Sequence, residues 1–551
     1  MENLEDLESK DKLFQEFFTW LFNNSHVKNK NIKLISEVDL SLARDYKDPY
    51  IYYPEQIYRF FETNPMKRLG RISQLALSIN IYPNTFHSRL EHSKGVYNRK
   101  VEDFVHNYQK PEWKKYIEEN DLKLYLIAEL IKVAGHDIGH FPLSHAFEEQ
   151  IFYVHGPHEV FGKRIMLESP EIQSVLTDIS DELPETLKEL YSKNILNFWF
   201  HDESSYDIDR LDYISRDTLY AGTPVTLKNA EYESFPEISK NEGFVDAYLA
   251  EELPEIEKLL LSRKNGYDTI YMSEDEQALE CCIGSFLNSI SKKEISPEIV
   301  GYDLYNFLTT IRSTPIDKIP LDEFLKWDDI RFYREVLNIA DKHPDNNLRE
   351  LATLLLPQFN AFLTVLYNLM DFKNFKANNC SNYDLEFLSY IKSLISNRSL
   401  VIKRLSSNDF LRENVIILTG AKSENALNNM GLISNFDYNF KIYNPKEPIY
   451  IQTNDGNYVD LASHPNRTQE WISAKKKIHY SYAYVPYLKM SGLSDEVIKE
   501  IKADGRTLSF NTPNNIAVNM GSLRVDTDIV SQFENMKLPI QKGILNKEFD
   551  R

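Results

Sequence analysis

Apolar residues return every three to four positions along most of the chain up to about residue 398, the spacing of helices that each bury one face. Near the start, Phe14, Phe17, Phe18 and Leu21 predict an amphipathic helix that packs on a core or meets another subunit. From Ile51 to Val133 the pattern predicts helices with one break, the loop IYPNTFHS at Ile81 to Ser88. Within that span LKLYLIAELIKV, Leu122 to Val133, is apolar on nearly every side and reads as a buried helix. Residues 171–200 read as an acidic helical connector. LLSRKNGYDTIYMSEDEQALECC, Leu260 to Cys282, reads as a further helix with Arg263, Tyr267 and Tyr271 four apart on one face. Helical spacing continues beyond residue 290, punctuated by Pro315, Pro320, Pro344 and Pro357. After residue 410 the period changes. ENVIILTG, EPIYIQT, the turn NDGN at 454–457 and YVDLAS predict short strands with one hairpin, followed by a helical WISAKKK and a strand-like HYSYAYVPY. The expected fold class is mainly α, with a smaller mixed α+β C-terminal lobe. The expected divisions are an N-terminal helical segment (1–50), a helical core (51–290), a helical extension of that core (291–400) and the lobe (401–551).

Charge changes this picture by exclusion. Against 83 Asp and Glu stand 63 Lys and Arg, a formal net charge of −20, which disfavours nonspecific binding to nucleic acid or to an anionic membrane. A phosphate-bearing substrate would need a local basic pocket. The three cysteines, Cys281, Cys282 and Cys380, form no CxxC pair, as expected for a reducing compartment. The N-terminal stretch lacks a basic n-region and no apolar run is long enough to span a bilayer, so a cytoplasmic location is expected. There are no internal repeats, no low-complexity linker and no Walker loop.

The chemistry concentrates in AGHDIGHFPLSHAFE, Ala134 to Glu148, where His136, Asp137, His140 and His145 fall within ten residues. His136 and Asp137 stand where the buried helix ends. A buried imidazole beside a buried carboxylate is costly unless something cationic satisfies both, and a divalent metal does this most directly. His92 upstream and Asp209 downstream complete an H…HD…D set that suits Mn, Fe or Zn with positions left open for water and phosphate oxygens. Arg89, one turn before His92, is expected to face the same cavity. Asp209, Asp212 and Tyr213 share one helical face and Arg210, Tyr213 and Asp217 the next, with Asp212 expected as the structural partner of an arginine. His158, after Pro157, is expected near a helix N-terminus, where phosphate is favoured. Taken by themselves, Gln74 is an ordinary polar helix residue and the Tyr267–Tyr271 stripe packs in a core as readily as it lines a site. His87 and His155 are read as structural, and His201 is assigned nothing.

RLEHSKGV, HDIGHFPLSHAFE, the His158–Glu159 pair and DIDRLDYISRD, in this order, resemble the HD-domain phosphohydrolases and specifically the deoxynucleoside triphosphate triphosphohydrolases, which include bacterial dGTPases and the vertebrate SAM-and-HD-domain enzyme. The match is specific through about residue 280. The resemblance implies an all-helical HD core and metal ligands His92, His136, Asp137 and Asp209. It implies catalytic His140, His145 and His158, with His145 the preferred general acid. Gln74 and Asp217 are implied at the sugar 3′-hydroxyl, Leu75, Tyr213 and Tyr271 around the sugar, and Arg89, Arg210 and Arg263 on the phosphates. Met272 stands where that family has Gln or His. The implied partners are a dNTP substrate with Mg on its phosphates and further copies of the chain in a homo-oligomer. A nucleotide activator is left open, since Lys67 and Gly70 replace a Gln and an Arg of the vertebrate enzyme's activator pocket. The alternatives are an HD phosphodiesterase or nucleotidase acting on another nucleotide, and a nucleic-acid-binding or regulatory HD protein.

Overall fold

In a computed structural model of the chain the described residues are 4–39, 50–82, 85, 87–151, 157–192, 206–225, 227, 232–235, 245–292, 294–355, 415–418, 427, 433–441, 443, 448–453, 455–467 and 475–507. The helix Arg89–Tyr108 lies at the centre. A capping box starts it: Ser88 Oγ accepts from the Glu91 amide while the Glu91 carboxylate accepts from the Ser88 amide. Val96, Tyr97, Val101 and Phe104 bury its length. Against it pack Lys123–Ala134, Ile208–Tyr220, Pro111–Glu119 and the N-terminal helix Leu4–Phe22. Phe17, Phe18, Leu21 and Phe22 are fully buried in that core, so the N-terminal helix is a packing element within the chain. Over its described residues the acidic connector forms two helices, Pro170–Ile179 and Leu183–Ser192.

The fold is mainly helical with a few small sheets. Ten strands are described: β1 Leu34–Val38, β2 Tyr50–Pro54, β3 Tyr232–Phe235, β4 Val245–Tyr248, β5 Val415–Leu418, β6 Ile433–Lys441, β7 Tyr450–Gln452, β8 Tyr458–Asp460, β9 Lys475–Tyr484 and β10 Gly505–Thr507. β2 corrects the helical expectation from Ile51 onward, and β1 that of a helical segment over 1–50. Tyr50–Pro54 is an aromatic and β-branched run that suits a pleated surface, and it pairs antiparallel with β1, Ile35 opposite Tyr53. The hairpin expected around 454–457 joins β7 to β8, with Gly456 at φ +80°. The expected helix WISAKKK is corrected over its described part: Lys475, Lys476 and Lys477 open β9, whose two-residue alternation runs on through HYSYAY against β6. The strand ends where Pro486 starts the short helix Val485–Met490.

Beyond residue 290, Tyr302–Ser313, Asp329–Lys342 and Asn346–Leu355 join the main core, where Phe307 stacks on Trp327 at 4.5 Å. The helical expectation from 356 to 398, with Pro357, lies outside the described residues, as do His155, His201 and Cys380. Sequence pattern did not predict β3 and β4, and their sheet runs β3-β4-β7-β8, with β4 and β7 parallel. A second sheet, β10-β5-β9-β6, is antiparallel throughout, and Tyr484 from β9 donates to the Ala278 carbonyl (2.9 Å) on the helix Glu274–Ser291.

Candidate active site

Three elements around the central helix deliver the first cluster. His92 stands in the first turn of Arg89–Tyr108, His136 and Asp137 follow Gly135 at the end of Lys123–Ala134, and Asp209 opens Ile208–Tyr220. Because both flanking helices pack on the central one, their donor atoms meet. His92 Nε2 lies 3.2 Å from His136 Nε2, 2.9 Å from Asp209 Oδ1 and 3.7 Å from Asp137 Oδ2. His136 Nε2 is 3.3 Å from Asp137 Oδ1 and 3.5 Å from Asp209 Oδ1.

The partners behind these ligands fix their orientation. His92 Nδ1 donates to Asp212 (2.8 Å) and His136 Nδ1 to the Val133 carbonyl (2.8 Å), so both turn Nε2 into the cluster. The donor atoms of His92, His136 and Asp209 all lie within 4.8 Å of one another, a spacing that fits a divalent metal, whereas Asp137, which meets the two rings through different oxygens, is not part of that group. Burial opposes a charge on His92, but its bonds to Asp209 and Asp212 outweigh burial and push its pKa up to about 10. Burial opposes ionisation of Asp137, yet Arg89, with His136 and His140, holds it well below the usual carboxylate range. Asp212 has the arginine partner expected of it: Arg216 reaches it through two bonds (2.9 and 3.0 Å). Only glycine serves at position 95, one turn past His92, since a Cβ there would collide with Asp212 and Arg216.

The second cluster is built around Glu148, a residue to which sequence reasoning gave no role although it ends the histidine-rich stretch. Its two oxygens accept from His140 Nδ1 (2.7 Å) and His158 Nδ1 (2.8 Å), and His145 Nδ1 stands 3.6 Å away. The His140 and His158 rings stack at 4.0 Å, with His145 edge-on to both. Burial is the largest influence on His140 and, with the charges of Arg89 and His158, lowers its pKa to about 4. For His158 the bond to Glu148 overcomes burial and raises it. His145 is the open member, its side chain 54% exposed. The two clusters touch where His140 Nε2 lies 3.2 Å from Asp137 Oδ1. Gly139 allows this approach, since a Cβ there would strike the His158 carbonyl and Gly162 on the helix Pro157–Glu168.

Both clusters open into one cavity of about 800 Å³. Gln74, Leu75, Arg89, Tyr213, Asp217 and Tyr271 also line it, whereas Arg210 and Arg263 are not among its lining residues. Arg210 pairs with Asp207 (2.7 Å), and the Arg263 guanidinium lies over the Tyr267 ring at 5.6 Å. Arg89 donates to Asp137 Oδ2 (2.7 Å) and Ser144 Oγ (3.0 Å), so its guanidinium is spent on neighbouring side chains. Gln74 is not helical as expected. It sits in a turn with Ala76 at φ +46°, and its side-chain oxygen is buried with no hydrogen-bond partner among the described residues. Asp217 accepts from Tyr271 Oη (2.8 Å) and pairs with His87 Nε2 (2.6 Å), a ring stacked on Tyr220. Lys132 and Lys163, which the sequence did not single out, also line the cavity.

No family model matches the chain. It is 28% identical over 299 residues to the uncharacterized protein YwfO of Bacillus subtilis, 53% of this chain and 65% of that protein. It is 24% identical over 241 residues to the deoxynucleoside triphosphate triphosphohydrolase SAMHD1 homolog of Dictyostelium discoideum, 42% of this chain and 45% of that one. The chain thus spans less than two thirds of the length of either relative. Among solved structures, a phosphohydrolase of Bacteroides thetaiotaomicron has the same fold, with a TM-score of 0.54 at 18% identity over 82% of this chain and 100% of that one. The likeness lies at the level of the HD-domain phosphohydrolase superfamily, and among the described residues no helix is long and apolar enough to cross a membrane.

Proposed function

We propose that the chain hydrolyses deoxynucleoside triphosphates to deoxynucleoside and inorganic triphosphate. The observation that carries this reading is the convergence of His92, His136 and Asp209 at metal-binding spacing, with Asp137 3.3 Å from His136, in a cavity that Gln74, Leu75, Tyr213, Asp217 and Tyr271 also line. A cavity of about 800 Å³ is in the range that holds a nucleotide-sized ligand. The activity in the name of the Dictyostelium relative supports the choice of substrate.

A divalent metal held by the four ligands would make water nucleophilic near neutral pH and polarise a phosphoryl oxygen. In the proposed reaction the water oxygen bonds to the α-phosphorus and the bond from phosphorus to the 5′-oxygen breaks. His145, exposed to the cavity and backed by Glu148, gives the departing 5′-oxygen its proton. His158, whose pKa Glu148 raises, and His140 flank the phosphates. Arg89 orients Asp137, and Gln74 offers its unsatisfied amide oxygen to a sugar hydroxyl.

One observation favours a second reading. Arg210 and Arg263, the cations the resemblance assigns to the phosphates, are absent from the cavity lining, which suits a substrate with fewer phosphates, as in a nucleotidase or phosphodiesterase. Product analysis separates the two. Incubation of metal-loaded protein with each dNTP should release deoxynucleoside and inorganic triphosphate in equal amounts; monophosphate, pyrophosphate or orthophosphate as the first product would establish the second reading.

A further inference from the structure

We propose that Asp329 is a positioning residue for the active site: its carboxylate holds the loop bearing His140 and His145 in register with the turn bearing Gln74. Asp329 begins the helix Asp329–Lys342, outside the sequence stretches that supply the site. It is 7% exposed; Oδ1 accepts from the Leu143 amide (2.6 Å) and Oδ2 from the Ser73 amide (2.8 Å).

Both of those segments need support from outside. Leu143 and Ser144 have φ of +57° and +52°, a left-handed conformation that residues with a side chain adopt only when their surroundings impose it. Ser144 Oγ donates to the Ser73 carbonyl (2.9 Å) and accepts from Arg89 Nε (3.0 Å), so Asp329 closes a ring joining the histidine loop, the residue before Gln74 and the arginine that holds Asp137. Trp327, two residues before it, adds one more tie: its carbonyl accepts from Arg68 (2.7 Å), which also donates to the His140 carbonyl (2.6 Å), whereas Asp328 pairs with Arg71 (2.6 Å) outside this ring.

A carboxylate suits this place because it presents two acceptors and no donor to two N–H groups, whereas an amide or a protonated acid turns a donor toward one of them. Burial pushes the Asp329 pKa up to about 7, against the two backbone bonds; the charge of Asp328 adds to the rise and that of Arg68 opposes it. Ionised above that pH, the side chain holds both amides; protonated below it, it releases one.

The test rests partly on the proposed function and partly not. At pH 8, with metal-loaded protein and a dNTP, Asp329→Asn should lower kcat about 10-fold or more while KM and bound metal stay within about twofold of wild type. Asp328→Asn, which keeps a good N-cap on the same helix and loses the Arg71 pair, should leave kcat within about twofold. Unchanged kcat in Asp329→Asn, equal losses in the two variants, or loss of metal from Asp329→Asn would overturn the proposal. Hydrogen exchange on the wild type needs neither turnover nor a folded variant. Corrected for intrinsic pH dependence, the amides of Leu143 and Ser73 should exchange faster at pH 5.5 than at pH 8, while those of the central helix do not change. Equal protection at the two pH values would overturn it. A protein that releases no triphosphate yet passes the exchange test would refute the dNTPase reading and leave the positioning role intact.

Discussion

The two histidine clusters of the cavity use nearly the same side chains to opposite ends. In the first, His92 and His136 are tethered through Nδ1 and turn Nε2 toward each other at 3.2 Å, so the cluster demands a cation. In the second, His140 and His158 spend Nδ1 on the Glu148 carboxylate between them, so an anion already sits among the rings, although these residues and His145 also stand at metal-binding spacing. The difference lies in where the carboxylates stand: Asp212 is behind the ring it orients, whereas Glu148 is among the rings it binds. In the proposed reaction ligation and proton transfer would thereby be separated within one cavity, with His140 and Asp137 in contact between them.

The largest effect should come from breaking the first cluster. Asp137→Ala leaves Arg89 without its carboxylate partner and the proposed metal set one carboxylate short, so elemental analysis should find the metal lost and turnover reduced beyond the roughly 10²–10³ that losing a single stabilising contact costs. Full metal content in that variant would refute its assignment as a ligand. In the second cluster His145→Ala should keep metal and nucleotide affinity while kcat falls by about 10²–10⁴. If affinity falls and kcat holds, His145 is a binding group and the proton comes from elsewhere.

A smaller effect tests what holds the second cluster together. Glu148→Gln removes the charge that raises the His158 pKa, so His158 should titrate at lower pH and any rise of KM that follows its deprotonation should begin at lower pH. We expect about a 10–100-fold loss of kcat/KM with metal retained, the size typical of a group that orients others. A KM–pH profile superimposable on that of wild type would detach Glu148 from substrate binding. The smallest effects lie at the sugar. Tyr213→Ala should narrow the preference for deoxyribose over ribose, which an apolar wall sets at only about 10²-fold, and Gln74→Ala should narrow the preference for deoxy over dideoxy substrates. Values of kcat/KM for the three sugar types across wild type and both variants decide this, and ribonucleotides turned over as well as deoxynucleotides by wild type would remove the dNTPase reading.

The His136–Asp137 pair of the first cluster was legible because its signal is local, an apolar helix running into buried polar groups, whereas His92 and Asp209 come from other stretches that the fold brings to it. Glu148 stood in the same stretch, but nothing in its spacing says that His158, ten residues on, folds back onto it. Asp329 was further from view, 186 residues from the amide it holds. Gln74 was read as helical because the apolar period runs through it, whereas Ala76 takes a left-handed turn imposed by tertiary contacts. The strands β3 and β4 are four residues each, too short for a period to register, and β4 is completed by a partner some two hundred residues away.

That last pairing also sets an order of events during synthesis. When Tyr248 of β4 has left the ribosome, Ile451 of β7, its parallel neighbour, has yet to be made. At about 5–20 residues per second the interval is on the order of 10–40 s, long compared with the formation of the helices around it. For that time one edge of β4 has no native strand beside it, an edge open to pairing with another nascent chain. Crowded translation of this protein therefore carries a hazard that its finished form conceals.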